Sequence, residues 1–275
     1  MFELSATDLE FVVASAVPEA DDQEHLKQLV QNDEAFRKAL VGDERVFKEL
    51  MADEEIFLKV SPALYFEVLL RAALRELEGA THTVERTGRQ SIPVFDVQDV
   101  VGFLNCKGIL EYLAQMLASF TRIHSYTLPI RVSKGIWRRV RYNDMDIDSL
   151  MRFEAVADEE HRFGFYKRIA DVCLFVTGIF QDYIFDDYRY PMSGDMRPPV
   201  IGRLRRNLEQ YEETGRQFYV LAQRHFIAEI LSLSPIFEVL GERFTTARKP
   251  LNFISTHYLH SLRQQVFKAP TSQET

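Results

Sequence analysis

A chain of 275 residues is long enough for one large helical core or for two domains of ordinary size. Its 46% hydrophobic, 12% aromatic and 27% charged residues are those of a folded globular protein, which excludes an intrinsically disordered chain. A formal net charge of −8 opposes general attraction to nucleic acid or an anionic membrane, and 2 cysteines are too few for a disulfide framework.

The first residues, MFELSATDLE, meet acidic side chains at once and lack a basic leader, so no signal peptide is expected. The longest apolar neighbourhood, Val172 to Phe180, is about half of the roughly 20 residues that span a bilayer. A cytoplasmic location and no membrane partner are the resulting expectations. Cys106 and Cys173 both lie in apolar stretches and read as reduced core residues.

Asp33, Asp43 and Asp53 recur every ten residues, each followed by Glu and then by an apolar patch. In one continuous helix a ten-residue step turns each patch by about 80° from the last, so the patches would not share a face. Two or three short helices, each capped by an Asp that accepts from first-turn amides, resolve the conflict. Such a unit needs no ligand to explain it and reads as scaffold.

Ser61 and Pro62 open a helix that Gly79 closes, apolar around most of its circumference except for Glu67, Arg71 and Arg75. Residues 80–93 turn to Thr, Gly, Arg, Ser and Pro and read as a loop. Two helices follow, near Val97 to Asn105 and Ile109 to Ile123, separated by Gly108. The stretch 126–142 is rich in β-branched and aromatic residues around Ser133, Lys134 and Gly135, which predicts the one hairpin of the chain.

Asp148 caps a short helix through Val156, and Asp158 a long one through about Ile184. Residues 186–199 are rich in Pro, Gly and charge and read as an exposed excursion. Leu204, Leu208, Tyr211, Gly215, Phe218, Ala222, Phe226 and Ile230 then follow steps of three and four, the pattern of one helix of about eight turns. Pro235 and Pro250 open the last two helices.

The fold class that results is all-α, an irregular multi-helix bundle of about nine or ten helices with short Asp-capped helices at its start and a hairpin near 126–142. The expected organisation is an accessory region over 1–60, a main helical domain over 61–268 with loop excursions at 80–96 and 186–199, and a flexible tail over 269–275. No phosphate-cradling glycine loop, nucleophile elbow, zincin helix or CxxC motif occurs.

Four polar constellations stand out. Asp158 with His161, His225 with Glu229, and His257 with His260 have the three- or four-residue spacings that let one helical turn offer two ligands to a metal ion. Carboxylate-bridged sites favour Glu before His, however, and no cofactor is expected; a metal ion is the minor alternative. Glu67 with Arg71, and Arg168 with Asp171, form a second set. Each is spaced to meet on one helical face, and Asp171 precedes an apolar run that implies burial with a partner, Arg71 or another cation.

The third set is the basic stretch Arg131, Lys134, Arg138, Arg139 and Arg141, interleaved with Trp137 and Tyr142, and with Arg203, Arg205 and Arg206 as candidate additions. Guanidinium groups suit phosphates and rings suit bases, but Asp144, Asp146 and Asp148 follow directly and are expected to neutralise the patch. The fourth is Arg248 and Lys249, placed before Pro250 at an expected helix start, where a bound anion or a carboxylate would compensate them. Arg75 and His82, the nearest approach to a catalytic Arg/His pair, sit at a helix end.

The favoured functional reading is a non-enzymatic interaction or regulatory module that binds a protein partner or self-associates, as in a homodimer, through an aromatic-rich surface. Its rivals are a helical metal-dependent enzyme using the His and carboxylate pairs, and a nucleic-acid binder using the basic hairpin.

Overall fold

A computed structural model of the chain describes residues 3–87, 90–122, 125–133, 136–181, 184 and 206–259, with the backbone alone for 86–87, 90, 125–133 and 136–142. The fold is an all-α multi-helix fold with short antiparallel hairpins. It divides into two compact units, Met1–Ser119 with Thr256–Leu259, and Phe120–Ser255 with His260–Thr275.

The first unit begins with short helices: α1 (Ala6–Ala16), α2 (Gln23–Asn32), α3 (Glu34–Val41), α4 (Glu44–Ala52) and α5 (Ile56–Lys59). The ten-residue repeat is the cap pattern expected of it. Asp33 Oδ1 accepts from the amides of Ala35 and Phe36 at 2.8 and 3.0 Å, and Asp43 Oδ1 accepts from Arg45 at 2.8 Å. Asp53 ends α4 and accepts from Glu55 N at 2.9 Å. Each cap satisfies an otherwise orphan donor, worth about 1 kcal/mol.

The central helix of this unit is α6 (Pro62–Glu78), with Ser61 accepting from Leu64 N at 3.2 Å, Pro at the first turn and Gly79 at the C-cap. Its apolar circumference is buried: Leu64, Phe66, Val68, Leu69, Leu70 and Ala73 are all inaccessible or nearly so. Each buried Leu, Val or Phe contributes about 1.5–3 kcal/mol. Asp8 fastens α1 to the start of α6. One of its carboxylate oxygens accepts from Ser5 N at 3.0 Å and the other from Ser61 N at 2.7 Å.

Helices α7 (Val97–Leu104) and α8 (Ile109–Ser119) complete the first unit. Gly108 separates them at φ 79°, a left-handed conformation that a side chain disfavours. The 80–96 excursion is not a structureless loop. Strands β1 (Thr83–Thr87) and β2 (Gln90–Val94) pair antiparallel within it, Val84 opposite Pro93. Two five-residue strands of which one holds Pro lack the alternation that would mark them in the sequence, and Pro is tolerated because a two-stranded ladder consists of edges.

The second unit contains the expected hairpin, β3 (Ser125–Ser133) with β4 (Ile136–Asn143), then α9 (Ile147–Glu154) and the long α10 (Glu159–Ile179). It continues with α11 (Leu208–Arg224), α12 (Phe226–Ile230), α13 (Ser234–Glu242) and α14 (Phe244–His257). Fourteen helices are thus present among the described residues, more than the nine or ten that hydrophobic periodicity indicates, because several are too short to register as separate periods.

Gly178 shows how closely the helices approach. A Cβ at that position would lie 2.6 Å from the Leu251 Cβ, a separation that bonded structure alone permits. Two expected boundaries change. The eight-turn helix breaks at His225, whose ψ of 137° is extended, so that α11 ends and α12 begins there. Pro250 lies inside α14 instead of opening it. An interior Pro forfeits one backbone bond and costs about 3 kcal/mol, which the burial of Phe244, Ala247, Leu251 and Ile254 offsets. The 186–199 excursion and the 269–275 tail lie outside the described residues.

Candidate functional site

Among the described residues, buried polar side chains form networks in both units. In the first unit, Arg37 donates to Glu67 at 2.7 Å, and Arg71 donates to Glu67 at 2.6 and 3.0 Å and to Glu111 at 3.1 Å. Glu67 is 0% exposed, and two arginines balance two glutamates, so no net charge is buried. The Glu67–Arg71 pair is the one its four-residue spacing implies. Arg37 and Glu111 come from α3 and α8, and no local pattern marks them as its partners.

In the second unit Arg168 and Asp171, spaced to meet on one flank, each have other partners. Asp171, 1% exposed, accepts from Lys167 Nζ at 2.6 Å and from the Tyr219 hydroxyl at 2.9 Å. Arg168 turns to Asp144, donating to its carboxylate at 2.8 Å and its carbonyl at 3.0 Å, and its guanidinium lies 3.9 Å over the Phe120 ring. Residues three apart share a helix flank, but four apart serves as well, and Lys167 takes that place here. Asp148 is held by Arg206 at 2.6 Å.

Arg248 and Lys249 are not at a helix start. They lie within α14, are 4% and 8% exposed, and Arg248 makes an ion pair with Glu212 at 2.8 Å. The same Glu212 accepts from Thr245 Oγ1 at 2.7 Å, and Arg216 donates to Thr245 Oγ1 at 2.7 Å and to the Gly241 and Glu242 carbonyls at 3.2 and 2.8 Å. Arg216 therefore caps the C-terminal carbonyls of α13, a role favoured by the helix dipole.

The histidine pairs do not converge into a ligand set. Asp158 is the N-cap of α10, with His161 exposed in its first turn. His225 is buried and both its ring nitrogens are engaged: Nδ1 accepts from Ile227 N at 3.2 Å, which makes Nε2 the protonated nitrogen that donates to the Glu159 carbonyl at 2.9 Å. Glu229 and His257 are exposed, and His260 lies outside the described residues. Among the described residues no three His, Cys, Asp or Glu side chains are grouped to hold a metal ion. Arg131, Arg138, Arg139 and Arg141 lie in the paired strands β3 and β4, described there as backbone; Lys134, Arg203 and Arg205 lie outside the described residues.

The break at His225 leaves an exposed apolar turn on the second unit. His225 is anchored inward, against Phe163 at 5.6 Å and Tyr166 at 6.3 Å between ring centroids. Ala228 is buried beside it, so the opposite side of α12 points outward. Leu221, Phe226, Ile230 and Leu231 are 40%, 51%, 73% and 54% exposed. The turn then closes in a Schellman motif: Leu233 N donates to Ala228 O at 2.8 Å and Ser232 N to Glu229 O at 3.0 Å. Ser232 takes the left-handed position at φ 56°.

Two charges flank this apolar turn. Arg224 and Glu229 are both exposed, and neither has an ion-pair partner shown among the described residues. A second exposed apolar group, Leu58 with Phe57 and Met51, lies in the first unit on α4 and α5. Sequence periodicity merges α12 into a longer helix and places Phe226 and Ile230 on its buried stripe. Only the inward turn of His225 reverses that.

No described helix is long and apolar enough to cross a membrane. Compared with known family models, curated proteins and solved structures, the chain matches none of them.

Proposed function

We propose that the protein is a helical interaction module, not an enzyme, which self-associates through the exposed turn Leu221 to Leu231. The observation that carries this reading is the outward exposure of Phe226, Ile230 and Leu231 on one short helix whose foot is anchored by buried His225. Contiguous apolar surface held on a rigid support loses little conformational freedom on association, which favours binding. The flanking charges supply self-complementarity. Across a two-fold axis a patch meets its own copy, so Arg224 of one protomer faces Glu229 of the other while the apolar residues pair at the centre.

The buried Arg–Glu and Lys–Asp–Tyr networks fit this reading because their members satisfy one another, as structural networks do. Sedimentation velocity over a range of protein concentrations tests the proposal. The native chain is expected to form dimers, and Phe226→Ser with Ile230→Ser to yield monomers with an unchanged circular dichroism spectrum. Arg224→Glu and Glu229→Arg should each weaken the dimer, and together restore it. A native chain that remains monomeric, or dimers indifferent to these changes, would sink the idea.

A further inference from the structure

We propose that the turn from α4 into α5 is a docking site for a basic amphipathic helix of a partner protein, with Phe57 and Leu58 against the helix's apolar face and Glu54 and Glu55 on its cations. This goes beyond the self-association reading and does not rest on it.

The ten-residue repeat carries the argument. Its copies read DEAFRKAL, DERVFKEL and DEEIFLKV, starting at Asp33, Asp43 and Asp53. In the first two, the glutamate after the Asp meets a lysine four residues on: Lys38 Nζ lies 2.6 Å from Glu34, and Lys48 Nζ 2.6 Å from Glu44. In the third copy a leucine stands where the lysine is due. Glu54 is exposed with no cation paired to it among the described residues, and Leu58 is 84% exposed. Lys59 does not stand in for the lost cation, because it bonds Asp53 at 2.5 Å. The third copy thus exchanges a paired lysine for an apolar side chain and leaves the carboxylate in place.

The aromatic residue changes in the same copy. Phe47 is half-buried and lies against Tyr258, with ring centroids 5.0 Å apart. Phe57, its counterpart, rests on the buried Tyr65 ring at 4.7 Å and is still 40% exposed. Ile56 and Val60 are buried and pin α5 from within. Phe57 and Leu58 are therefore presented on a fixed turn, so a partner that covers them orders little that is not already ordered. Met51, exposed at the end of α4, adds an adaptable side chain beside them.

Charge decides the occupant. Asp53, through its bond and its charge, raises the Lys59 pKa above its ordinary value, and Glu55 and Glu49 add to the rise, so three carboxylates lie near one ammonium. A second copy of the chain would set these acids against their own equals across a two-fold axis, which is repulsive, whereas Arg224 and Glu229 of the self-association turn balance each other. An anionic membrane or a nucleic acid is repelled for the same reason. A helix suits the site better than an extended peptide. Helices α4 and α5 offer no strand edge to pair with, so contact is made by side chains, apolar at steps of three and four with Lys or Arg alongside.

The test uses the full chain and a fluorescein-labelled synthetic helix of about 18 residues, with Leu along one face and Lys on its flanks. Two controls accompany it: the same composition scrambled to break the stripe, and a twin with Glu in place of Lys. Anisotropy at about 150 mM salt should show the amphipathic basic peptide bound about tenfold or more tighter than either control. Leu58→Lys, which completes the repeat, should weaken binding about tenfold or more with an unchanged circular dichroism spectrum. Glu54→Gln with Glu55→Gln should weaken it about threefold, and Glu54→Lys with Glu55→Lys should transfer the preference to the acidic twin. Phe226→Ser with Ile230→Ser, in the second unit, should leave peptide binding within about twofold, which separates failure here from failure of the self-association reading. No binding of the amphipathic peptide, equal binding of its scrambled control, indifference to Leu58→Lys, or loss of a native dimer on Leu58→Lys, which would put a second copy at this turn, would each overturn the assignment.

Discussion

Tyr219 donates its hydroxyl hydrogen to Asp171 across 2.9 Å, and the two residues are 0% and 1% exposed. This bond joins α11 to α10 in a place water does not reach. Tyr219→Phe keeps the ring, and with it the stacking on Phe237 at 5.8 Å, but withdraws a donor from a buried carboxylate. The expected loss is about 1–3 kcal/mol, read as a lower urea midpoint at unchanged slope.

Glu67 is the common acceptor of Arg37 and Arg71. Glu67→Gln leaves two buried guanidinium groups with one remaining carboxylate in the network, Glu111. The expected cost is about 3–5 kcal/mol in chemical denaturation. Glu111→Gln touches only one longer bond, of 3.1 Å, and should cost less than Glu67→Gln. Equal effects would mean that the network is not centred on Glu67.

Ser232 holds the left-handed position of the α12 cap at φ 56°. A non-glycine residue there costs about 1–2 kcal/mol, part of which glycine returns through its larger unfolded-state entropy. Ser232→Gly should therefore raise stability by roughly 0.5–1 kcal/mol, and Ser232→Val should lower it. Thermal unfolding of the two variants beside the native chain checks the sign.

Four acidic residues of the ten-residue repeat titrate below their ordinary range: Glu34 through its bond to Lys38, Asp43 through Arg45, Glu44 through Lys48 and Asp53 through Lys59. A carboxyl group with a lowered folded-state pKa adds stability above its unfolded value and loses it as pH falls through the folded one. Their ordinary values are 4.5 for Glu and 3.8 for Asp, so the contribution should be whole at neutral pH and decline from about pH 4.5 downward. Glu34 and Glu44 are exposed and Asp43 and Asp53 half-buried, so 1 M salt should shrink the effect. Stability measured from pH 7 to 3 at both ionic strengths tests it.

Burial pushes the Cys173 thiol up, away from the reactive thiolate, whereas Cys106 is half-buried. Native protein should take up one equivalent of an alkylating reagent, at Cys106, and a second only on unfolding. Peptide mass spectrometry locates the label.

What the sequence by itself determined was local. Ser61, Pro62 and Gly79 bound α6, and Asp33 and Asp43 cap their helices, because a cap joins atoms two or three residues apart and needs no knowledge of the rest of the chain. The hairpin near 126–142 was legible for the same reason, through β-branched runs either side of a turn. The burial of Asp171 followed from its apolar neighbours. Its Tyr219 partner did not, since that residue lies 48 positions away.

Only the tertiary structure decided the long-range choices. It brought Arg37 and Glu111 to Glu67, kept α14 helical through Pro250, and broke the long periodic segment at His225. Each outcome depends on a distant group: the Glu159 carbonyl draws in the His225 ring, and packing of Leu251 against Gly178 offsets the missing bond at Pro250. A periodic apolar stripe states which residues can share a face, not which face is covered. Phe226 and Ile230 share a stripe with buried residues and still face outward, because one buried histidine turns their helix around.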